Sequence, residues 1–237
     1  MDISIIIPLF NEKESLPELV AWIDRVMGAN HYSYEVIMVD DGSTDGSWKT
    51  ILELKEEFPA IKGIQFRRNY GKSAALYCGF KKAEGEVVFT MDADLQDPPE
   101  VIPEMIRHWE DGWEDVYARR ISRGKESWLR RKLSLCYYNV LQKTTKVDVL
   151  QNVGDFRLID RKCIDALKQM RECERYTKGL FSWMGFKKKE ITFDRHDRAA
   201  GESSFDFFKL MLLGIDGISC APTSGMEFVN YIEAAKQ

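Results

Sequence analysis

Histidine and patterned cysteine are what this 237-residue chain has least of. Its three histidines, His31, His108 and His196, lie far apart, and its five cysteines (Cys78, Cys136, Cys163, Cys173 and Cys220) contain no C-x-x-C pair. A zinc site and a disulfide framework are therefore not indicated. No G-x-G-x-x-G follows the first apolar run and no G-x-x-x-x-G-K-[ST] occurs anywhere, so neither familiar backbone cradle for phosphate is present. Any phosphate handling then falls to a metal ion and side chains. No stretch reaches the roughly 18 apolar residues needed to cross a bilayer. Met1-Asp2-Ile3-Ser4 opens with neither a basic region nor a long apolar one, and the expected compartment is the cytoplasm. A net charge of −4 gives no footing for general nucleic-acid binding.

What is present is an alternation of short apolar runs and helical patterns, in a chain hydrophobic enough (44%) for one large domain with a full core. Strands are expected at Ile3–Pro8, Glu35–Val39, Lys62–Phe66, Val87–Met91 and Asp115–Ala118. The intervening helices fall near Ser15–Met27, Gly46–Phe58, Lys72–Ala83 and Pro99–Trp109. That order reads as βαβ units on a mostly parallel sheet. Further on, helices are expected near Trp128–Gln142, Arg161–Met170 and Arg175–Met184, a turn at Asn152-Val153-Gly154 and a strand at Asp155–Ile159. Ligands of such sheets bind beyond the carboxyl ends of the strands. Polar punctuation stands there three times, at Pro8-Leu9-Phe10-Asn11-Glu12, Asp40-Asp41-Gly42-Ser43 and Asp92-Ala93-Asp94, and the three are expected to face one crevice.

The stretch Met91-Asp92-Ala93-Asp94-Leu95-Gln96-Asp97-Pro98-Pro99-Glu100 follows an apolar run. On extended backbone, side chains two apart project to one side. Asp92, Asp94 and Gln96 would then converge as hard oxygen donors suited to Mg²⁺ or Mn²⁺ carrying a diphosphate, and Ala93 would leave room for close approach of the ligand. The plainer alternative is an acidic turn with Asp97 as helix N-cap and Pro98 at the first helical position. At the end of the second strand, Asp41 can accept from the N–H groups of a uracil or guanine base, as can Asp40. The alternative role for both is that of turn aspartates, although Thr44 and Asp45 already serve to cap the next helix.

These segments, with Arg68-Asn69-Tyr70-Gly71-Lys72, Gly154-Asp155-Phe156-Arg157-Leu158 and Ala200-Gly201-Glu202-Ser203, resemble the polyprenyl-phosphate glycosyltransferases. This is the dolichol-phosphate mannosyltransferase-like and bactoprenol glucosyltransferase-like branch of glycosyltransferase family 2, and the resemblance covers roughly residues 3–218 in the family's order. It implies an α/β GT-A fold, a Rossmann-like mostly parallel sheet flanked by helices in a single domain. It also implies inverting, metal-dependent transfer of one sugar from a nucleotide diphosphate sugar (UDP-glucose, UDP-N-acetylglucosamine or GDP-mannose) to a polyprenyl phosphate.

Carried over by motif, Pro8, Phe10, Glu12, Val39, Asp41, Asn69, Lys72 and Ala93 would hold the nucleotide sugar. Asp92, Asp94 and Gln96 would take the metal, Asp94 serving catalysis as well. Asp155 and Arg157 would face the sugar and acceptor phosphate, with Asp155 as a base or an orienting group, and Arg198 would reach the donor diphosphate. Phe10 stands where relatives often have Tyr, which leaves stacking without a phenolic hydrogen bond. Seven basic residues against one acid between 119 and 132 suit an anionic acceptor, with Arg120, Arg131 and Ser134 expected on its phosphate and Arg119 and Arg130 as substitutes. A charge run is otherwise a solvated face.

Relatives that continue past Gly-Glu-Ser commonly run into two membrane-spanning helices. Here Phe205, Phe208, Leu212 and Ile215 mark an amphipathic helix over 203–218, followed by a polar tail at 219–237. Residues 1–218 are thus expected to form the catalytic domain, peripheral at the cytoplasmic face of the membrane. That helix would rest on the membrane surface or on a second subunit in a homo-oligomer, the alternative being a core helix. The competing readings are a family 2 transferase acting on a saccharide or protein, which needs a catalytic base at the acceptor, and a nucleotide-sugar-binding protein without turnover.

Overall fold

The first strand is almost continuously apolar, Ile3, Ile5, Ile6 and Ile7 all being fully buried. A strand of that kind has both faces covered, as parallel sheets with helices on either side require. The computed structural model, which describes residues 2–120, 153–169 and 184–193, bears this out. Seven strands form one sheet: β1 (Asp2–Leu9), β2 (Ser33–Asp40), β3 (Ile61–Gln65), β4 (Val87–Thr90), β5 (Asp115–Arg120), β6 (Val153–Asp160) and β7 (Lys188–Phe193). Their order across the sheet is β3-β2-β1-β4-β6-β5-β7. β1 to β4 run parallel, β6 is antiparallel to both β4 and β5, and β7 runs parallel to β5.

The helices are α1 (Leu16–Ala29), α2 (Ser47–Glu57), α3 (Lys72–Lys82), α4 (Ile102–Glu110) and α5 (Arg161–Gln169). The period of two along β1 sorts them into layers. Ile3, Ile5, Ile7 and Leu9 share one core with Leu19 and Ile23 of α1, Ile51 of α2 and Met105 of α4. Ile6 points the other way, into a core with Leu76 and Phe80 of α3 and Ile164 and Leu167 of α5. Gly79 lets α3 lie against β1, because a Cβ there would collide with the Ile6 side chain.

The strands and helices expected from the sequence within the described residues are present, with ends shifted by a few residues. Four features differ. β7 was not expected: Lys187 and the strand's two leading lysines read as a charge patch, yet Ile191 and Phe193 alternate into the core. β6 begins at Val153, where a turn was expected. β4 ends at Thr90 and Leu95 adopts φ +61°, so residues 91–97 turn instead of continuing extended. Finally, Asp97 is not the helix cap. The helical stretch opens with a 3₁₀ turn at Pro99–Val101, whose N-cap position is Pro98, and the Asp97 carboxylate instead accepts from the Asp92 N–H at 3.1 Å. The expected helices at 128–142 and 175–184, the 203–218 helix and the 219–237 tail lie outside the described residues. Among the described residues no helix is long and apolar enough to cross a membrane.

Candidate active site

Because β1 to β4 are parallel, their carboxyl ends share one edge of the sheet, and antiparallel β6 brings its first residues to that same edge. The Asn11 backbone is left-handed (φ 57°), a conformation Asn tolerates better than most residues. Its N–H donates to Ser43 Oγ at 2.9 Å, and its side-chain Oδ1 accepts from the Thr44 N–H at 2.8 Å. The Glu12 N–H donates to Ser47 Oγ at 3.1 Å and the Lys13 N–H to Asp45 at 3.1 Å, so the loops after β1 and β2 are stitched together. Asp45 also accepts from the Ser47 N–H at 2.9 Å, at the start of α2. Burial opposes the Asp45 charge, but these donors outweigh it and hold its carboxyl below the usual range.

Asp41 is buried, and its carboxylate accepts from the backbone N–H groups of Tyr70 at 2.7 Å and Gly71 at 2.8 Å. It thereby fixes the loop that leads into α3. Gly42 makes the approach possible: it sits at φ +77°, and a Cβ would lie 2.5 Å from the Arg68 carbonyl carbon. Asp40 is fully buried and closes its own turn, accepting from the Ser43 N–H at 2.8 Å. Val39 packs into the α3-side core and Pro8 is buried, whereas Phe10 is 42% exposed and Asn69 is exposed at the crevice loop.

α3 starts at Lys72, and its ammonium joins two strands. It forms one ion pair with Asp92 after β4 and a second with Asp155 Oδ2 of β6 at 2.5 Å. The surrounding protein disfavours the ammonium's charge. Asp155 and Asp92 outweigh that effect and hold the Lys72 pKa above the ordinary lysine range. The Thr90 hydroxyl, which nothing in the sequence singled out, donates to the backbone carbonyl of Asp155 and locks the end of β4 to β6.

Asp94 accepts from the Gln96 N–H at 3.3 Å, while Ala93 and Gln96 are buried. Gln96 Oε1 has no hydrogen-bond partner among the described residues. A buried acceptor in that condition is costly unless a donor or cation meets it. Among the described residues no three His, Cys, Asp or Glu side chains are grouped so as to hold a metal ion by themselves. The donor set of Asp92, Asp94 and Gln96 fits an open site of the kind Mg²⁺ uses, in which one or two carboxylates act with substrate phosphates.

Arg157 has a partner outside this group. It is 4% exposed and its guanidinium pairs with Asp115 at 3.2 Å inside the sheet, a different partner from the substrate suggested by sequence. Burial raises the Asp115 carboxyl against the pull of Arg157 and Lys188. Arg119 likewise pairs with Glu190 of β7 at 3.2 Å. Arg120 ends β5, its side chain outside the description, and Arg131, Ser134 and Arg198 lie outside the described residues.

The chain matches the model of Glycosyl transferase family 2 over residues 4–168. It belongs to that family. An uncharacterized glycosyltransferase of Synechocystis sp. is 39% identical over 218 residues, covering 92% of this chain and 69% of the relative. A prophage bactoprenol glucosyl transferase homolog of Escherichia coli is 34% identical over 232 residues, covering 98% of this chain and 76% of the relative. Among solved structures, glucosyl-3-phosphoglycerate synthase from Mycobacterium tuberculosis, in complex with Mn²⁺, UDP-glucose and phosphoglyceric acid, superposes with a TM-score of 0.62. Its sequence identity is 17%, and the match covers 94% of this chain and 81% of that one. This family 2 chain is thus a glycosyltransferase with the GT-A fold, as its resemblance implied.

Proposed function

We propose that this glycosyltransferase moves one sugar, with inversion, from a nucleotide diphosphate sugar to a polyprenyl phosphate. The observation that carries the reading is the joining of Asp92 and Asp155 through Lys72 at the shared strand edge. Under this reading the residues assigned to the donor diphosphate stand near Asp155, the acid assigned to the sugar. The name bactoprenol glucosyl transferase among the relatives supports the acceptor class.

In this reading Asp41 holds the loop before α3 beside the nucleoside, Glu12 and Asn69 stand at the same rim, the buried Pro8 and Val39 back it from the core, and Phe10 offers its exposed ring for packing. Asp92, Asp94 and Gln96 would hold Mg²⁺ or Mn²⁺, which when bound neutralises charge on the leaving diphosphate. Arg198 adds positive charge there. An acceptor phosphate oxygen forms the new bond to the anomeric carbon as the bond to the diphosphate breaks, and the electron pair leaves with the nucleotide. That oxygen is already anionic at neutral pH. It needs orientation by Arg120, Arg131 and Ser134 more than deprotonation. Asp155 orients the sugar, and Arg157, through Asp115, keeps β6 in place. The 203–218 segment rests on the membrane surface that carries the acceptor.

The deciding experiment compares transfer from UDP- and GDP-sugars to a short-chain polyprenyl phosphate and to free saccharides. Transfer to the lipid phosphate, lost in EDTA and in Asp94→Asn, is expected. Turnover on saccharides alone would move the assignment to a different acceptor, and Asp94→Asn fully active in EDTA would remove the metal.

A further inference from the structure

We infer that Lys72 is a built-in counter-ion that holds the place of the divalent metal at Asp92 while masking Asp155, and yields both when metal and donor diphosphate arrive together. The inference rests on the metal reading of Asp92, Asp94 and Gln96 and deepens it.

Lys72 occupies an oxygen of Asp92 and, at 2.5 Å, Oδ2 of Asp155, so one ammonium bridges two carboxylates, one just after β4 and one on β6. A dication taking the Asp92 carboxylate meets that ammonium as a like charge at short range. In a partly desolvated crevice such a pair cannot persist cheaply. Lys72 therefore opposes metal binding as long as it has no other anion to turn to.

The local structure supplies the other anion and the freedom to reach it. Gly71, at φ +93°, has open space around it, and the Lys72 side chain is still 41% exposed. The backbone at its root is fixed by Asp41, which holds the Tyr70 and Gly71 N–H groups. Motion is thus confined to the flexible lysine stem. Lys72 also opens the 11-residue α3, whose N-terminal N–H groups favour an anion. A diphosphate drawn there gives the ammonium a new partner. Asp92 is then released to the metal and Asp155 to the sugar. Donor and metal loading become coupled, and the acid is unmasked only in the loaded enzyme.

The test measures Mn²⁺ affinity of the full chain by calorimetry, alone and with saturating UDP or GDP, for wild type, Lys72→Met, Lys72→Gln and Lys72→Arg. Removal of the charge should tighten Mn²⁺ binding in the absence of nucleotide about fivefold or more, taking the repulsion as that of a partly exposed pair. The factor by which nucleotide tightens Mn²⁺ binding should shrink to match. Lys72→Arg should stay close to wild type. General structural damage weakens metal binding instead of strengthening it, so the sign separates the two causes. Unchanged or weaker Mn²⁺ affinity in Lys72→Gln and Lys72→Met, with native circular dichroism, would overturn the inference alone. Wild type that takes up no Mn²⁺ even with either nucleotide would overturn the metal reading and this inference with it.

Discussion

At Asp41 one buried carboxylate holds two backbone N–H groups, and nothing in the neighbouring sequence names its partners, which lie 29 and 30 residues away. Asp41→Asn keeps one acceptor but turns an amide N–H₂ towards a second donor. A lost bond of this charged kind costs about 1–3 kcal/mol, and urea unfolding should show that loss together with weaker nucleotide binding. Gly42→Ala should act through the same loop, since both its positive φ and the nearness of Arg68 forbid a side chain. Its expected cost is about 1–3 kcal/mol, typical of overpacking. Sequence reasoning reached the location of Asp41, through its position at a strand end, but not its bonds. Thr90 was missed outright, because a threonine ending a strand looks like any other β-branched residue. For Arg157 the motif named the residue, yet its partner Asp115 is set by the pairing of two strands and not by local spacing.

Strand pairing is the scale at which that ion pair acts. Arg157 on β6 and Asp115 on β5 are both nearly buried, and removing one partner of such a pair leaves an uncompensated charge. Arg157→Met or Asp115→Leu alone should therefore destabilise by about 3–5 kcal/mol, whereas replacing both by apolar residues of similar volume is often neutral. Denaturant unfolding of Arg157→Met, Asp115→Leu and the double variant checks this. A stable double variant that keeps transfer would limit Arg157 to holding β6. A second tie joins β1, β2 and β3 through Glu35, which accepts from Ser4 Oγ at 2.5 Å and from the Glu84 N–H at 2.9 Å and pairs with Lys62 at 2.7 Å. Burial opposes its charge, but Lys62, Ser4 and the Glu84 N–H prevail and lower its pKa from 4.5. A depressed folded pKa means the contribution is present above about 4.5 and fades as pH falls through the folded value. The gap in Tm between wild type and Glu35→Ala should accordingly be wide at neutral pH and narrow in acid. The strands of the first half were legible because parallel burial produces apolar runs. β7 was not, since Lys188 and Lys189, half-buried at the sheet edge, disguise the alternation of Ile191 and Phe193. Nor was the reversed direction of β6, because an antiparallel partner is chosen by the connecting chain and leaves no mark in the strand itself.

For the molecule as a whole, the loops of β1, β2 and β4 and the start of β6 share one edge, so occupying it should stabilise all of them together. Ligand binding only to the folded state adds about 2.7 kcal/mol at a hundred times Kd, and in a chain of this size that is a rise in Tm of about 5–10 °C. Mn²⁺ with UDP or GDP should approach that rise, and either component alone should give much less if Lys72 guards the metal position. Equal, additive shifts from the two components would argue against the coupling.

The reversal of β6 has another consequence. Arg119 of β5 pairs with Val153 of β6, so the chain leaves the sheet and returns to it at adjacent points on the crevice rim. Residues 121–152 therefore join two strand ends that are already clamped side by side. If the basic residues of this connection take the acceptor, as proposed, then exchanging 121–152 for a relative's segment should carry acceptor preference with it and leave nucleotide affinity with the host sheet.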